Sequence, residues 1–134
     1  MIFDHIGIFV PTLKDGREQI STILPIAGFS ESFEDANLQV CVQFCTDRSG
    51  IRYEIVAPFG KDNPVSAVLA GGKAVLNHVA YQVDDIDAAF DRMRNAGSVP
   101  FGPPKSAVAF DGRRVAFLLT PMRFIIELIE ADRR

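Results

Sequence analysis

The sequence has no excess of positive charge. Its 134 residues include 14 Lys and Arg against 17 Asp and Glu, which gives a formal net charge of −3. Because nucleic-acid binding needs a basic face for the phosphates, this balance argues against a nucleic-acid partner. The apolar runs are far shorter than the roughly 20 residues of a membrane-spanning helix. Met1 leads directly into a strand pattern, so we also expect no signal peptide and no membrane association.

Cysteine is scarce as well. The two cysteines, Cys41 and Cys45, lie four residues apart on one predicted strand. At roughly 3.3 Å per strand residue they are about 13 Å apart, which is too far for a disulfide. We therefore expect a reduced, soluble, cytoplasmic protein. Its length fits a single domain, and its 48% of hydrophobic residues can build a core.

The sequence contains the same order of predicted strands and helices twice. Strand and helix periodicities, caps and turn residues define each element. The first half is predicted to have a strand at 3–10, a helix from the Thr12 cap to about Leu24 with Leu13, Ile20, Ile23 and Leu24 on one side, and strands at Phe29–Phe33, Leu38–Cys45 and Ile51–Ala57. The second half is predicted to have a strand at 76–83, a helix from the Asp84-Asp85 cap to about Asn95, and strands near 98–101, 106–110, 113–119 and 123–130. This order predicts an α+β fold of tandem βαβββ modules in one domain, 1–134. Module 1 covers about residues 1–60, a linker about 61–74, and module 2 about 75–134.

Polar residues support the duplication more strongly than the apolar ones do. The chain has two histidines, and His78 lies 73 positions after His5. Glu127 lies 73 positions after Glu54, so each half has a histidine followed 49 residues later by a glutamate. Imidazole and carboxylate together suit Zn, Mn, Fe, Co or Ni as divalent ions. We therefore predict a metal site at a pseudo-two-fold axis, with positions left open for water or substrate, as in catalytic sites.

Each of these four residues has a simpler interpretation when it is taken alone. A single histidine in a strand is more often structural, and a glutamate in a strand more often faces solvent. Glu54 and Glu127, however, lie in otherwise apolar strands, where burial of a carboxylate is costly unless something compensates it. The common offset of all four residues favours the metal site.

Several segments together carry a resemblance to a known family. They are Asp4-His5-Ile6-Gly7-Ile8, Tyr53–Pro58, Asn63-Pro64-Val65, Leu76–Ile86, Gly112–Leu118 and Ile126-Glu127-Leu128. The chain resembles the vicinal-oxygen-chelate (glyoxalase/bleomycin-resistance/dioxygenase) superfamily over nearly its whole length. Its second half resembles the methylmalonyl-CoA epimerases. The resemblance implies a cupped mixed sheet, the glyoxalase/VOC-like fold, around a metal held by His5, Glu54, His78 and Glu127.

The resemblance also implies a chemistry. A divalent metal acts as Lewis acid on a carbonyl oxygen, while a base removes the α-proton and an acid returns one. Glu54 and Glu127, on opposite faces of a planar enolate, would invert the stereocentre of an acyl-CoA thioester. The epimerases have a further carboxylate on the strand that corresponds to Leu38–Cys45. Cys41 lies nearest to that position, as a candidate thiol acid/base that would need activation.

Three other functions remain open. The His/Glu/His/Glu set favours a glyoxalase I-like lactoylglutathione lyase, whose substrate is a thiol adduct. A metal-free, antibiotic-binding protein of the same fold would have no reason to keep four ligand-type residues in register. An extradiol dioxygenase would use two histidines and one carboxylate, and would leave one glutamate as a spectator. Apolar strands at the module ends predict a homodimer.

Overall fold

A computed structural model describes residues 1–60, 65, 66, 70 and 76–132. The elements of this part of the chain are, in order, β1 (Ile2–Phe9), α1 (Leu13–Ile23), β2 (Ile26–Asp35), β3 (Val40–Asp47), β4 (Arg52–Pro58), β5 (Leu76–Val83), α2 (Ile86–Asn95), β6 (Val99–Pro100), β7 (Lys105–Ser106), a 3-10 helix (Val108–Phe110), β8 (Arg114–Leu119) and β9 (Ile125–Glu130). The order β-α-β-β-β occurs twice, with the short β7 added in the second half. The predicted α+β fold is therefore confirmed. Within the described ranges, no helix is long and apolar enough to cross a membrane.

The chain folds into two compact units. The first unit is His5–Asn77, and the second consists of Met1–Asp4 together with the chain from His78 onward. Strand β1 contributes to both units, because the boundary falls between Asp4 and His5. In the first unit the strands lie in the order β2-β3-β4-β1, with β1 parallel to β4. In the second unit the order is β5-β9-β8-β6, with β5 parallel to β9 and the short β7 also paired to β8.

Each unit has its own helix and its own core. In the first unit α1 packs through Ile20 against Cys45 and Ile55. In the second unit the buried core consists of Val83, Ile86, Ala89, Ala116, Leu118, Ile126 and Leu128, with Tyr81, Phe90 and Met93 packed against it. In both units the helix covers one face of the sheet, and the side chains on the opposite face take no part in this helix–sheet core.

Both helices begin at the predicted caps. The Thr12 hydroxyl accepts a hydrogen bond from the backbone N–H of Asp15, and the Asp85 carboxylate accepts one from that of Ala88. The helix period predicts Ile86, Ala89, Phe90 and Met93 as the inward positions of α2, and all four lie in the core of the second unit or pack against it. The prediction for α1 was wrong at Ile23, which is 75% exposed. Ile23 is the last residue of α1 and lies about 60° around the helix from Ile20.

Two predicted elements differ from the structure. Strand β3 begins at Val40, because Gln39 has a left-handed backbone with φ of 58° and ends a turn. The turn is stabilised by the buried Asp35 carboxylate, which accepts hydrogen bonds from the backbone of residues 37 and 38. The predicted strand 106–110 is a strand only at Lys105–Ser106, and it continues as the 3-10 helix that ends at left-handed Asp111. The sequence also predicts about one helical turn at 65–69, which lies mostly outside the described residues.

Candidate metal centre

The first predicted pair, His5 and Glu54, is brought together by parallel pairing of β1 and β4. Gly7 on β1 is the register partner of Glu54. Because side chains alternate along a strand, His5, two residues before Gly7, lies on the same face as Glu54. His5 Nε2 is 3.4 Å from Glu54 Oε1, and both residues are buried. The first unit therefore holds an imidazole and a carboxylate in contact on the face opposite α1.

The second predicted pair, His78 and Glu127, is built in the same way in the other unit. Strand β5 runs parallel to β9, with Ala80 as register partner of Glu127. Ala80 lies 73 positions after Gly7, so the pairing register is repeated together with the polar residues. His78 Nε2 is 3.1 Å from Glu127 Oε1, and both side chains are buried.

Each histidine also meets a phenylalanine that was not identified from the sequence. Phe44 is the register partner of Glu54 on β3, and its ring lies edge-to-face with His5 at a centroid distance of 5.5 Å. Phe117 is the register partner of Glu127 on β8, and it meets His78 in the same way at 5.3 Å. Phe117 lies 73 positions after Phe44. The offset that identified the polar residues could therefore also have identified the two rings.

The separations within each pair fit the bonding of a metal ion. Two ligand atoms at about 2.1 Å from one ion, at tetrahedral or right angles, are about 3.0–3.4 Å apart. The His–Glu separations of 3.4 and 3.1 Å match this range. Each of His5, Glu54, His78 and Glu127 offers one ligand atom, and these residues could hold a metal ion. Their nitrogen and oxygen donors suit a divalent transition metal or zinc.

Cys41, the predicted thiol acid/base, lies elsewhere. It is three residues from Phe44 on the regularly paired strand β3, so it lies on the opposite face of the sheet from Phe44 and Glu54. Burial, followed by the nearby charge of Glu34, raises the pKa of the Cys41 thiol. The structure thus does not bring Cys41 to the His5–Glu54 pair. Both Cys41 and Cys45 are free thiols, as predicted from their spacing.

An arginine lies on the same face of β4 as Glu54. Arg52 precedes Glu54 by two residues, and its Cζ lies 3.9 Å from the centroid of the Phe44 ring. The position 73 residues later is Ile125, which precedes Glu127 by two residues. The first unit therefore has a guanidinium where the second has an apolar side chain.

A separate, open cavity of about 610 Å³ lies in the second unit and contains neither member of its His–Glu pair. It is lined by Asp85, Asp87, Arg113, Arg114, Glu130, Ala131 and Asp132. Arg114 donates hydrogen bonds of 2.9 Å to the carboxylates of Asp87 and Glu130. The guanidinium lowers the pKa of Asp87, and the two carboxylates raise that of Arg114. The charges of Arg114, Asp87 and Glu130 therefore pair with one another along the cavity wall.

Comparison with known proteins shows which family this chain belongs to. Residues 4–117 match the family described as the Glyoxalase/Bleomycin resistance protein/Dioxygenase superfamily. The chain belongs to this superfamily. An ethylmalonyl-CoA/methylmalonyl-CoA epimerase of Cereibacter sphaeroides is 30% identical to it over 119 residues, which cover 86% of this chain and 85% of the relative.

Solved structures of the superfamily confirm the predicted fold. Methylmalonyl-CoA epimerase from Mycobacterium tuberculosis matches with a TM-score of 0.77 at 20% identity, over 97% of this chain and 87% of the other. A variant of the Streptomyces coelicolor methylmalonyl-CoA epimerase, in complex with 2-nitronate-propionyl-CoA, matches with a TM-score of 0.78 at 20% identity, over 98% of this chain and 97% of that one. These likenesses show that the chain has the glyoxalase/VOC-like fold.

Proposed function

We propose that the protein is a metal-dependent epimerase that acts at the α-carbon of an acyl-CoA thioester, as a methylmalonyl-CoA epimerase does. The observation that carries the proposal is the duplicated His–Glu pair. Each unit holds an imidazole and a carboxylate at a distance that suits two ligands of one ion. The names of the relatives support the substrate class.

We propose that the two pairs are the halves of one metal site, with His5, Glu54, His78 and Glu127 as ligands. A bound divalent ion would act as a Lewis acid on the carbonyl oxygen of the thioester and so acidify the α-proton. Burial of two carboxylates is otherwise costly, and a cation compensates that cost. Co, Ni, Zn, Mn and Fe all suit this donor set.

The chain supplies the proton transfers through its two glutamates. Glu127, as carboxylate, removes the α-proton as general base, and Glu54, as carboxylic acid, returns a proton on the other face of the planar carbon. The turnover ends with Glu127 protonated and Glu54 ionised, which is the state that converts the other epimer back. Each carboxylate has a second oxygen besides the Oε1 that faces its histidine. Cys41 has no role in this proposal, because it lies on the opposite face of its strand from Glu54 and its thiol pKa is raised.

Deuterium incorporation at the α-carbon tests this function. Protein loaded with Co²⁺ should exchange the α-proton of methylmalonyl-CoA in D₂O, as followed by mass spectrometry. Because general base catalysis contributes about 10²- to 10⁴-fold, Glu127→Gln should lose at least 100-fold in exchange rate. Glu18→Gln, a change on the exposed side of α1, is the matched control and should keep the full rate. Exchange that survives in Glu127→Gln would contradict the assignment of the base.

The carboxylate at position 54 favours a second candidate, a glyoxalase I-like lyase. Such an enzyme would use the same two pairs to move a proton between adjacent carbons of a thiol hemithioacetal. Turnover of the methylglyoxal–glutathione adduct, without α-exchange of acyl-CoA thioesters, would favour it over the epimerase. A protein that takes up no added Co²⁺ and turns over neither substrate would instead fit the metal-free binding class.

We further propose that the protein works as a cytoplasmic homodimer. The support for a dimer is strand β2, which lies at the edge of the first unit's sheet and is exposed along most of its ten residues. An exposed edge strand offers unpaired backbone groups to another chain. The free thiols Cys41 and Cys45 are compatible with the reducing cytoplasm.

A further inference from the structure

The second unit has a line of apolar side chains on the face that carries its His–Glu pair. Ile125 is the register partner of His78 across the parallel strands β5 and β9, and Leu119 on β8 is the partner of Ile125. Val99 on β6 is in turn the partner of Leu119. Because directly paired residues share one face of a sheet, these three apolar side chains continue the line that begins at His78.

A second line runs beside the first and begins at Glu127. Phe117 on β8 is the register partner of Glu127. Phe101 follows Val99 by two residues and so lies on the same face, and its backbone N–H donates a hydrogen bond of 2.9 Å to the carbonyl oxygen of Phe117. The two lines together form what we call the apolar patch: Val99, Phe101, Phe117, Leu119 and Ile125.

The apolar patch becomes more exposed towards the edge of the sheet. Val99 and Phe101 on β6 are 61% and 62% exposed, whereas the three other residues of the patch are half-buried. Neighbouring strands lie about 4.8 Å apart, so the patch extends about 10 Å from β9 to β6. Exposed apolar surface that adjoins a buried polar pair is typical of a ligand-binding surface.

The duplication shows that the metal site itself does not require the apolar patch. At an offset of 73 residues, three of the five patch residues have counterparts without a large apolar side chain: Gly28, Thr46 and Arg52. Thr46 and Arg52 pair with each other across β3 and β4, as Leu119 and Ile125 do across β8 and β9. An apolar surface beside only one of two otherwise matching half-sites indicates a ligand that has an apolar group on that side only.

We propose that the apolar patch binds an alkyl chain of four or more carbons that is attached to the α-carbon of the thioester. This inference rests on the proposed function. Glu127 has to contact the α-proton, so the α-carbon lies at the inner end of the patch. A chain on that carbon extends along Phe117 towards Val99 and Phe101, and covers apolar surface that a methyl or ethyl group leaves in water.

Two other occupants fit the apolar patch less well. The pantetheine arm of coenzyme A contains two amides, which need hydrogen-bond partners that five apolar side chains do not offer. Five residues are also few for a protein partner, because a standard interface takes about 800 Å² and 20–30 residues from each side.

Binding of a chain-length series tests the proposal. Propionyl-, butyryl- and hexanoyl-CoA have a methyl, an ethyl and a butyl group on the α-carbon and are otherwise identical. A fully buried methylene contributes about fourfold in affinity, and an open surface covers about half of each methylene. Hexanoyl-CoA should therefore bind about 10-fold more tightly than propionyl-CoA in the presence of Co²⁺, as measured by isothermal titration.

Variants of the apolar patch complete the experiment. Leu119→Thr introduces the residue of the first unit, and Phe101→Thr changes an exposed position, so it serves if Leu119→Thr fails to fold. The double variant should lower the ratio of hexanoyl-CoA to propionyl-CoA affinity to less than about threefold, and should change propionyl-CoA binding less than about twofold. The matched control, Met122→Thr, removes an exposed apolar side chain from the turn between β8 and β9 and should leave the ratio unchanged.

Four results would overturn the inference. The first two are equal affinities for the three thioesters in the wild-type protein and an unchanged ratio in the double variant. The third is an equal loss for all three thioesters and for free coenzyme A, which would place the pantetheine arm on the patch. The fourth is conversion of a dimer into a monomer by the double variant in sedimentation velocity, since a second copy of the chain would then cover the patch. Because the readout is binding, failure of the proposed function appears separately, as absent α-exchange in the wild-type protein.

Discussion

The stacking of Arg52 on Phe44 makes a prediction about stability that is independent of catalysis. The perturbation is a double-mutant cycle of Phe44→Leu, Arg52→Met and the combined variant. Leucine at position 44 keeps most of the buried apolar area but loses the edge-to-face contact with His5, which is worth about 0.5–1.5 kcal/mol. It also loses the contact with the guanidinium at 3.9 Å, which is worth about 0.5–1 kcal/mol at exposed sites and about 2 kcal/mol when desolvated.

Because Arg52 is partly buried, we expect a coupling energy between the two changes of about 1 kcal/mol. Phe44→Leu alone should cost about 1–3.5 kcal/mol, the sum of both contacts. Urea unfolding of the four proteins in EDTA measures these values, since the midpoint and slope give the free energy of unfolding. Independent sites add to within about 0.3–0.5 kcal/mol. A coupling energy below about 0.3 kcal/mol would refute the claim that the ring holds the guanidinium.

Three further predictions concern the thiols, the surface charges and the metal. Burial, and then the charge of Asp47, raise the pKa of the Cys45 thiol from 9.0 to about 11, so its thiolate fraction at pH 8 is lowered roughly 100-fold. Iodoacetamide should therefore label Cys41 before Cys45. Labelling of Cys45 in the native protein at the rate of the urea-unfolded chain would contradict this. The hydrogen bond from Arg114 lowers the pKa of Asp87 below its usual 3.8. The stability that this pair contributes is therefore present above pH 3.8 and lost as the pH falls through the lowered pKa. The free energy of unfolding should fall less steeply between pH 6 and 3 in Asp87→Asn than in the wild-type protein, and an unchanged slope would contradict the stabilising role of the pair. Co²⁺ at about 100 times its Kd should stabilise the protein by about 2.7 kcal/mol and raise its Tm by roughly 10 °C. Differential scanning fluorimetry measures this Tm, and an unchanged Tm would contradict metal binding.

The fold and the four candidate ligands could be predicted because both rest on a repeat. His5 and Glu54 recur at one offset as His78 and Glu127, and chance seldom places two rare polar matches in a shared register. The repeat also fixes which strands pair, since each glutamate sits on the strand that runs parallel to its own histidine's strand. The caps at Thr12 and Asp85 were predictable because their hydrogen bonds are local.

The errors come from features that depend on register and on tertiary contacts. A shift of one residue moves a strand's side chains to the other face, so the position of Cys41 along the predicted strand did not fix the face on which its thiol lies. Phe44 and Phe117 resemble ordinary core residues, and only the pairing of their strands brings their rings to the histidines. The 3-10 helix at 108–110 follows from the left-handed backbone of Asp111, which strand alternation does not reveal.

The central claim is that the two His–Glu pairs bind one metal ion between them. Titration of metal-free protein with Co²⁺, followed by the visible absorption of the ion and by elemental analysis, measures the number of ions bound. We predict one Co²⁺ per chain, and we expect Glu54→Gln and Glu127→Gln each to weaken that same site. Two Co²⁺ per chain, with each variant losing only one, would show that each pair is a site of its own and would contradict the claim.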